Sequence, residues 1–409
     1  MRKSVIRVVA LAAIMSIGVG ACAKKKEKAA DTATPTTNAS AVTSPSSAVS
    51  SSSDGSSAPG GASDSSSPGA TSPSGAADGK KLKVGVILPD SKSSARWETA
   101  DRKFLKASFE AAGVEADIQN AEGDKAAFQT IADQMMTNGA KALIMVNLDS
   151  GSGKAVQDKA KAAGVATIDY DRLTLGGSAG YYVSFDNESV GKLQGEGLVK
   201  CLETDGKKSG NIVYVNGSPT DNNATLFKAG YDGVLSKLTQ YKKVADQSVP
   251  DWDNKVGQTI FEQMYTKAGG KIDGVAAAND GLGNAVINVL KKNKVNGKVP
   301  VTGQDATDQG LQNILNGDQC MTVYKAIKKE AQAAVDLAVA LAKGEPAAAA
   351  DKVVKDGARE VKSVLLVPAA VNKENIKDLM AEMIADGFTT KDKVCTAEFA
   401  AKCTAAGIA

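Results

Sequence analysis

From residue 82 onward the chain alternates short, almost wholly apolar runs with longer stretches in which apolar residues recur every three or four positions. The runs at 82–88, 142–146, 165–168, 181–185, 212–215, 274–278, 299–302 and 320–324 read as β-strands. The stretches at 125–138, 153–163, 188–203, 222–238, 254–268 and 281–292 read as helices. After the first strand, Trp97, Ala100, Phe104, Ala107 and Ala111 mark one helical face. Strands interleaved with helices predict parallel sheets covered on both faces. So many units over this length predict two doubly wound α/β domains rather than one.

The N-terminal part follows no such pattern. A basic start (Arg2, Lys3, Arg7) leads into an apolar segment at 8–21 that ends in small residues before Cys22. Residues 1–21 read as a secretory signal peptide, too short for a comfortable membrane span. The cysteine at its boundary resembles a bacterial lipobox, in which Cys22 becomes the lipidated first residue of the mature chain. Two acyl signals on one terminus suffice for anchoring, which places the protein outside the cytoplasm, on the outer face of the cytoplasmic membrane. Residues 31–79 contain only Ala, Asp, Thr, Pro, Asn, Ser, Val and Gly, a composition that builds no core. The segment 22–79, which opens with Lys24, Lys25, Lys26 and Lys28 beside the anchor, is expected to be a disordered tether. Its low-complexity part spans roughly 40 Å as a flexible coil.

Charge and composition narrow the function. A net charge of +3 with no basic, aromatic-interleaved patch gives no argument for nucleic acid. The chain has no histidine, which removes His-based triads and HExxH zinc sites; no metal-ligand cluster and no cofactor motif appears. Gly151-Ser152-Gly153-Lys154 ends like a phosphate loop, but Ala155 stands where Ser or Thr is required. Val286 likewise stands at the third glycine position of a dinucleotide motif beginning at Gly281. With Cys22 lipidated, Cys201, Cys320, Cys395 and Cys403 remain, an even number of thiols in an exported chain. Three connectivities are possible. Cys395–Cys403 closes a short C-terminal loop and is the favoured bridge, leaving Cys201–Cys320.

Open parallel sheets bind ligands beyond the carboxyl ends of their strands, and those ends are where polar residues gather. Arg96 and Trp97 follow the first strand; Asp169, Asp171 and Arg172 follow 165–168. Asp221, Asn222 and Asn223 follow 212–215, in the stretch "SPTDNNA", where two asparagines occupy a first helical turn they do not favour. Asn279 and Asp280 follow 274–278, Gln304 and Asp305 follow 299–302, and Lys325 follows 320–324. Carboxylates accept, cationic groups donate and carboxamides do both, a set suited to sugar hydroxyls. Trp97 and Trp252, the two tryptophans, add flat apolar walls for a sugar ring. Each residue also fits a plainer role: Trp97 as helix core, Asp221 and Asn279 as N-caps, Arg172 as a structural partner of Asp169 or Asp171. Their common location is what singles them out.

The stretches "ARW" (95–97), "YDR" (170–172), "SFDNESVGKLQ" (184–194), "GSPTDNNATLFKAG" (217–230), "AANDG" (277–281), "TGQDA" (302–306) and "MTVYK" (321–325) occur in order at these strand ends. In them, from about Lys80 to the C-terminus, the chain resembles the periplasmic sugar-binding family of bacterial ABC importers, its D-xylose binders above all. The resemblance implies a type I periplasmic binding protein: two doubly wound parallel-sheet lobes joined by three hinge strands, with a sugar in the cleft. It implies an N-terminal lobe at 80–186 plus 325–367 and a C-terminal lobe at 187–324 plus 368–409, with hinges near Asp186, Tyr324 and Val367. By motif, the implied contacts are Arg96, Arg172, Asp221, Asn223, Asn279, Asp305 and Lys325, with Trp97 and Trp252 as walls and Asp171 and Asn222 as adjacent positions. The implied protein is a monomeric, non-enzymatic receptor with no cofactor, which hands a monosaccharide, D-xylose first, to an ABC permease. Glucose, ribose or another monosaccharide is the alternative ligand, and a membrane signalling protein the alternative partner. The tether, the cysteines, the "VPDWDN" surroundings of Trp252 and the C-terminal "VCTAEFAAKC" depart from the family pattern.

Overall fold

The structure is a computed structural model that describes residues 82–347 and 350–408. The signal peptide, Cys22 and the tether lie outside the described residues.

The chain opens with β1 (Lys83–Leu88), five of whose six residues are buried. A π-helical turn at Trp97–Asp101 then runs into α1 (Arg102–Ala112). The sheet continues through β2 (Glu115–Asn120), α2 (Lys125–Thr137), β3 (Ala142–Met145), α3 (Ser150–Ala162), β4 (Ala166–Tyr170) and β5 (Tyr181–Phe185). The chain then enters a second body: α4 (Asn187–Thr204), β6 (Gly210–Asn216), α5 (Asn222–Leu235), β7 (Tyr241–Ser248), α6 (Asn254–Lys267), β8 (Gly274–Ala277), α7 (Asp280–Lys292), α8 (Asp308–Asn316) and β9 (Met321–Tyr324). It returns in α9 (Ile327–Lys343), which packs across β1, β3, β4 and β5, and in the hairpin β10 (Lys352–Asp356) and β11 (Arg359–Leu366). A third crossing leads to β12 (Ala369–Asn372) and to α10 (Ile376–Ala385), α11 (Lys391–Val394) and α12 (Ala400–Ala405).

The first sheet has seven strands in the order β10-β11-β5-β4-β3-β1-β2, parallel except for β10. The second body has a parallel sheet β7-β6-β8 and a separate antiparallel pair β12-β9. Each body has its own buried core, one around Val84, Leu105, Ile144 and Val335, the other around Leu198, Val213, Phe227 and Val286. Bridges Cys201–Cys320 and Cys395–Cys403 tie α4 to the start of β9 and close the C-terminal segment. Among the described residues no helix is long and apolar enough to cross a membrane, and no group of His, Cys, Asp and Glu is placed to hold a metal ion.

Three expectations are corrected. The run 299–302 is not a strand but a single bridge between Val301 and Val275. Pro300 lacks an N–H, and the Thr302 hydroxyl, rather than its backbone, pairs with the N–H and carbonyl of Ala277. The run 320–324 supplies β9, which runs antiparallel to β12 rather than joining a parallel sheet. On the first helix the buried face is Trp97, Ala100, Phe104, Leu105, Ser108 and Phe109, with Ala107 and Ala111 exposed. The π turn winds more residues into its first coil and rotates the face that follows.

Candidate functional site

Six segments converge at one edge of the two bodies. After β1, Asp90 accepts hydrogen bonds from the backbone N–H of Lys92 (2.7 Å) and Ser93 (2.5 Å) and from the Ser93 hydroxyl (2.8 Å), fixing the turn that presents Ser93 and Ser94. Trp97 then donates its indole N–H to Ser93 Oγ at 3.0 Å. Asp171 and Arg172 follow β4, Asp221 and Asn223 follow β6, Asn279 follows β8, Asp305 follows the Val301 bridge, and Lys325 follows β9. Ten of the eleven site residues expected from sequence line one cavity, together with Ser93, Ser94, Phe227 and Gln304. Asn222 does not, and it is half-buried. Side chains nearly fill the cavity, leaving free space of about 20 Å³, roughly one water molecule's worth.

Buried charges organise the floor. The Arg96 guanidinium gives Nε and Nη2 to Asp101 (2.9 and 2.7 Å), Nη2 also to Glu330 (2.9 Å) and Nη1 to Asp171 (2.7 Å). Four of its five N–H groups are thereby engaged by the protein. Burial alone would lower its pKa, but Asp101, Asp171 and Glu330 hold it raised. Burial likewise works to raise Asp171, yet the charges of Arg96, Lys325 and Arg172 bring it down to about 2. Burial dominates at Glu330; the carboxylates of Asp171 and Asp101 add to it against Arg96, and its pKa is pushed well up. Lys325 Nζ lies 3.5 Å from both Asp171 and Asp305.

The cleft is closed. Arg172 Nε is 3.0 Å from Asp221 Oδ2, Asn223 donates Nδ2 to both the carbonyl and Oδ1 of Asp171 (2.9 Å each), and Ser94 Oγ donates to Asp305 Oδ2 at 3.0 Å. The Asp171 carbonyl also accepts from Tyr182 Oη (3.0 Å) and Ser184 Oγ (2.8 Å) on the last strand before the first crossing. Trp97 and Trp252 are both buried, and Trp252 donates its indole N–H to Asp221 at 3.1 Å. A Cβ on Gly217 would overlap the Trp252 ring, so only glycine lets the indole lie against that turn. Asp171, Trp252 and Asp305 all adopt positive φ (60°, 56° and 96°), backbone strain of the kind that collects where side chains must be aimed.

Three buried polar atoms of the cavity wall have no aligned protein hydrogen-bond partner: Arg172 Nε, a donor, and Gln304 Oε1 and Asp305 Oδ1, both acceptors. Arg172 Nε has charge contact with Asp221 without hydrogen-bond alignment. Sequence reasoning missed Ser93, Ser94, Phe227, Asp101 and Glu330 as parts of this architecture. Phe227 had a signal, since it stands four residues after Asn223 on the same helical face. Glu330 had none, because it lies within the apolar stripe of α9 and its partner is distant in sequence.

Two α/β bodies closed over a compact polar cavity, with three chain crossings between them, define a two-lobed solute-binding protein. The sequence profile of the periplasmic binding protein domain matches residues 84–346, and the chain belongs to that family of binding proteins, not enzymes. Its fold is that of the type I periplasmic binding proteins. It is 36% identical over 312 residues to the D-xylose-binding periplasmic protein of Escherichia coli (strain K12), covering 76% of this chain and 91% of that one. Identity to the D-xylose-binding periplasmic protein of Haemophilus influenzae is 35% over 318 residues, covering 77% and 92%. Among solved structures, the carbohydrate transporter solute binding protein from Chloroflexus aurantiacus, in complex with D-glucose, matches with a TM-score of 0.69 at 26% identity. That match covers 77% of this chain and 98% of that one.

Proposed function

We propose that the protein captures a monosaccharide, D-xylose as first choice, and delivers it to an ABC permease. The observation that carries this reading is the donor of Arg172 and the acceptors of Gln304 and Asp305, which have no aligned hydrogen bond within the protein, beside two buried indoles. A sugar hydroxyl both donates and accepts, and the ring's C–H faces suit the indoles. The surrounding charges support a neutral ligand: the cations of Arg96, Arg172 and Lys325 stand among the carboxylates of Asp101, Asp171, Asp221 and Asp305, with no excess of positive charge to hold an anion. The relatives named for D-xylose favour that sugar first.

In this reading the lobes are 80–186 plus 325–367 and 187–324 plus 368–409, and they rotate at Asp186, Tyr324 and Val367. Closure is favoured by contacts available only in the closed form. Cys22 carries the lipid, 22–79 is the tether, and the receptor works as a monomer on the outer face of the cytoplasmic membrane. Calorimetric titration with D-xylose, D-glucose and D-ribose tests it. Arg172→Ala and Asn223→Ala are each expected to weaken the preferred sugar by about tenfold or more while the protein stays folded, as loss of a charged hydrogen bond implies. Unchanged titrations for both variants would remove the site; no heat with any sugar in the wild type would remove the function.

A further inference from the structure

Behind the cavity, each lobe holds a buried aspartate that does not line it. In the second lobe, Asp280 Oδ2 accepts from the Thr307 N–H (2.8 Å) and Thr307 Oγ1 (3.0 Å), and Oδ1 accepts from Gln319 Nε2 (2.8 Å) and Thr322 Oγ1 (2.7 Å). Its own N–H donates to the Gln304 carbonyl at 2.9 Å. In the first lobe, Asp169 Oδ2 accepts from the Thr174 N–H (2.9 Å), and Oδ1 accepts from Thr174 Oγ1 (2.6 Å) and Gln157 Nε2 (2.8 Å). The device is the same twice: one carboxylate, a threonine giving both backbone and hydroxyl, and a glutamine amide. Space is cleared around each. A Cβ on Gly303 or Gly310 would overlap the Asp280 carboxylate, and one on Gly177 would overlap the Gln157 amide oxygen.

The segments gathered are those that bear the site. Asp280 follows Asn279 directly, and its partners bracket Gln304 and Asp305 on one side and lead through β9 to Lys325 on the other. Asp169 stands two residues before Asp171 and three before Arg172, and its partner Thr174 ends the same turn. We propose that Asp169 and Asp280 are positioning residues which set sugar affinity from outside the cavity, by locking the strand-end turns that aim Asp171 and Arg172 in one lobe and Asn279, Asp305 and Lys325 in the other. The affinity consequence rests on the sugar-binding reading; the locking does not.

The test uses Asp169→Ala, Asp169→Asn, Asp280→Ala and Asp280→Asn in the full chain, with D-xylose titration and sugar-free amide hydrogen exchange of peptides covering 171–174, 304–307 and 319–325. Each alanine variant is expected to weaken D-xylose about tenfold or more and to speed exchange in the turns of its own lobe only. Each asparagine variant keeps one of the two acceptor oxygens, while its NH2 faces a donor, Gln319 Nε2 or the Thr307 N–H at 280 and Gln157 Nε2 or the Thr174 N–H at 169. Asparagine is therefore expected to recover part of the affinity and exchange protection that alanine loses, which a role resting on negative charge alone would not allow. If an alanine variant does not fold, Thr174→Val and Thr307→Val each remove the hydroxyl's bond to the aspartate and the one it accepts, from Asn147 Nδ2 or the Gly310 N–H, and are read in the same two ways. Wild-type exchange rates and affinity in the alanine or valine variants, or asparagine variants as weak as alanine, overturn the proposal. Failure of the wild type to bind D-xylose counts against the sugar, while the exchange comparison still decides the locking.

Discussion

Asp169 and Asp171 stand two residues apart at the end of one strand, and burial leaves them in opposite states. Asp171 is brought to about 2 because burial is outweighed by Arg96, Lys325 and Arg172; Asp169 is raised to about 7 because burial outweighs its hydrogen bonds, and Asp280 is raised to about 7 in the same way. An unfolded aspartate titrates near ~3.9. The lowered Asp171 contributes stability above that value, of order 2–3 kcal/mol, which is lost as pH falls from about 4 to about 2. The raised pair has the opposite sign: the native state binds the extra protons, so stability falls as pH rises from about 4 to about 7. Thermal melts between pH 2.5 and 8 are expected to show a maximum near pH 4–5, and the Asp169→Asn/Asp280→Asn double variant a flatter descent on the alkaline side. A melting temperature that climbs from about pH 5 to 7.5 would contradict these assignments. Both carboxylates were visible in the sequence as strand-end acids. What separates them was not: Arg96 reaches Asp171 from 75 positions away, and pairings of that range leave no local periodicity.

At the scale of elements, the second lobe depends on how closely α4 and α5 cross. A Cβ on Gly191 would overlap the Phe227 carbonyl oxygen, and one on Gly230 the Glu188 carbonyl, so backbone meets backbone. This approach brings Asn187, the first residue of α4, to 2.9 Å from Asn223 Oδ1, next to the Asp171 contacts. Gly191→Ala is expected to cost more than about 2 kcal/mol by overpacking and to lower the melting temperature by several degrees, with weaker sugar binding. Gly197→Ala meets only the flexible Met321 side chain and is expected to cost less. Equal melting losses would mean that the crossing is not tight.

The helices named from sequence were legible to within a few residues, since 188–203 and 254–268 have a clear apolar stripe, but α9 to α12 were not among them. The strands β2, β7 and β10 were not, because their sequences EADIQN, YKKVADQS and KVVKD are largely polar and each lies at a sheet edge. Edge strands are half-solvated, and charged side chains there keep other chains from pairing with them. The sequence pattern that marks a buried strand is absent where the strand is not buried.

For the whole molecule, the closed cleft carries its own bonds: Arg172 to Asp221, Asn223 to Asp171 and Ser94 to Asp305. The apparent affinity for a ligand is its intrinsic affinity for the competent form scaled by the fraction of molecules in that form, so these side chains act on affinity even where they do not touch the ligand. Three crossings between the lobes, at 185–187, 324–327 and 366–369, are where any opening must be absorbed. Where they fall was suggested by the family resemblance and not by local pattern, and the direction of β9 was hidden by its apolar composition.

The bridge between Cys201 and Cys320 spans 119 positions and encloses β6 to α8, leaving most of α4, β9, β12 and α10 to α12 outside. Under tension applied to the two ends, force passes through the sulfur bridge and bypasses everything between the cysteines. The enclosed segment hides about 400 Å of contour length at roughly 3.5 Å per residue, and the small Cys395–Cys403 loop about 30 Å more. In single-molecule pulling, the oxidised protein is expected to unravel short by that total and a reductant to release it; equal lengths in both conditions would show that the bridges do not form. A receptor tugged by its ends would therefore leave the segment holding Asp221 and Asn279 mechanically silent, while the lobe that carries Arg96 and Asp171 has no such shield.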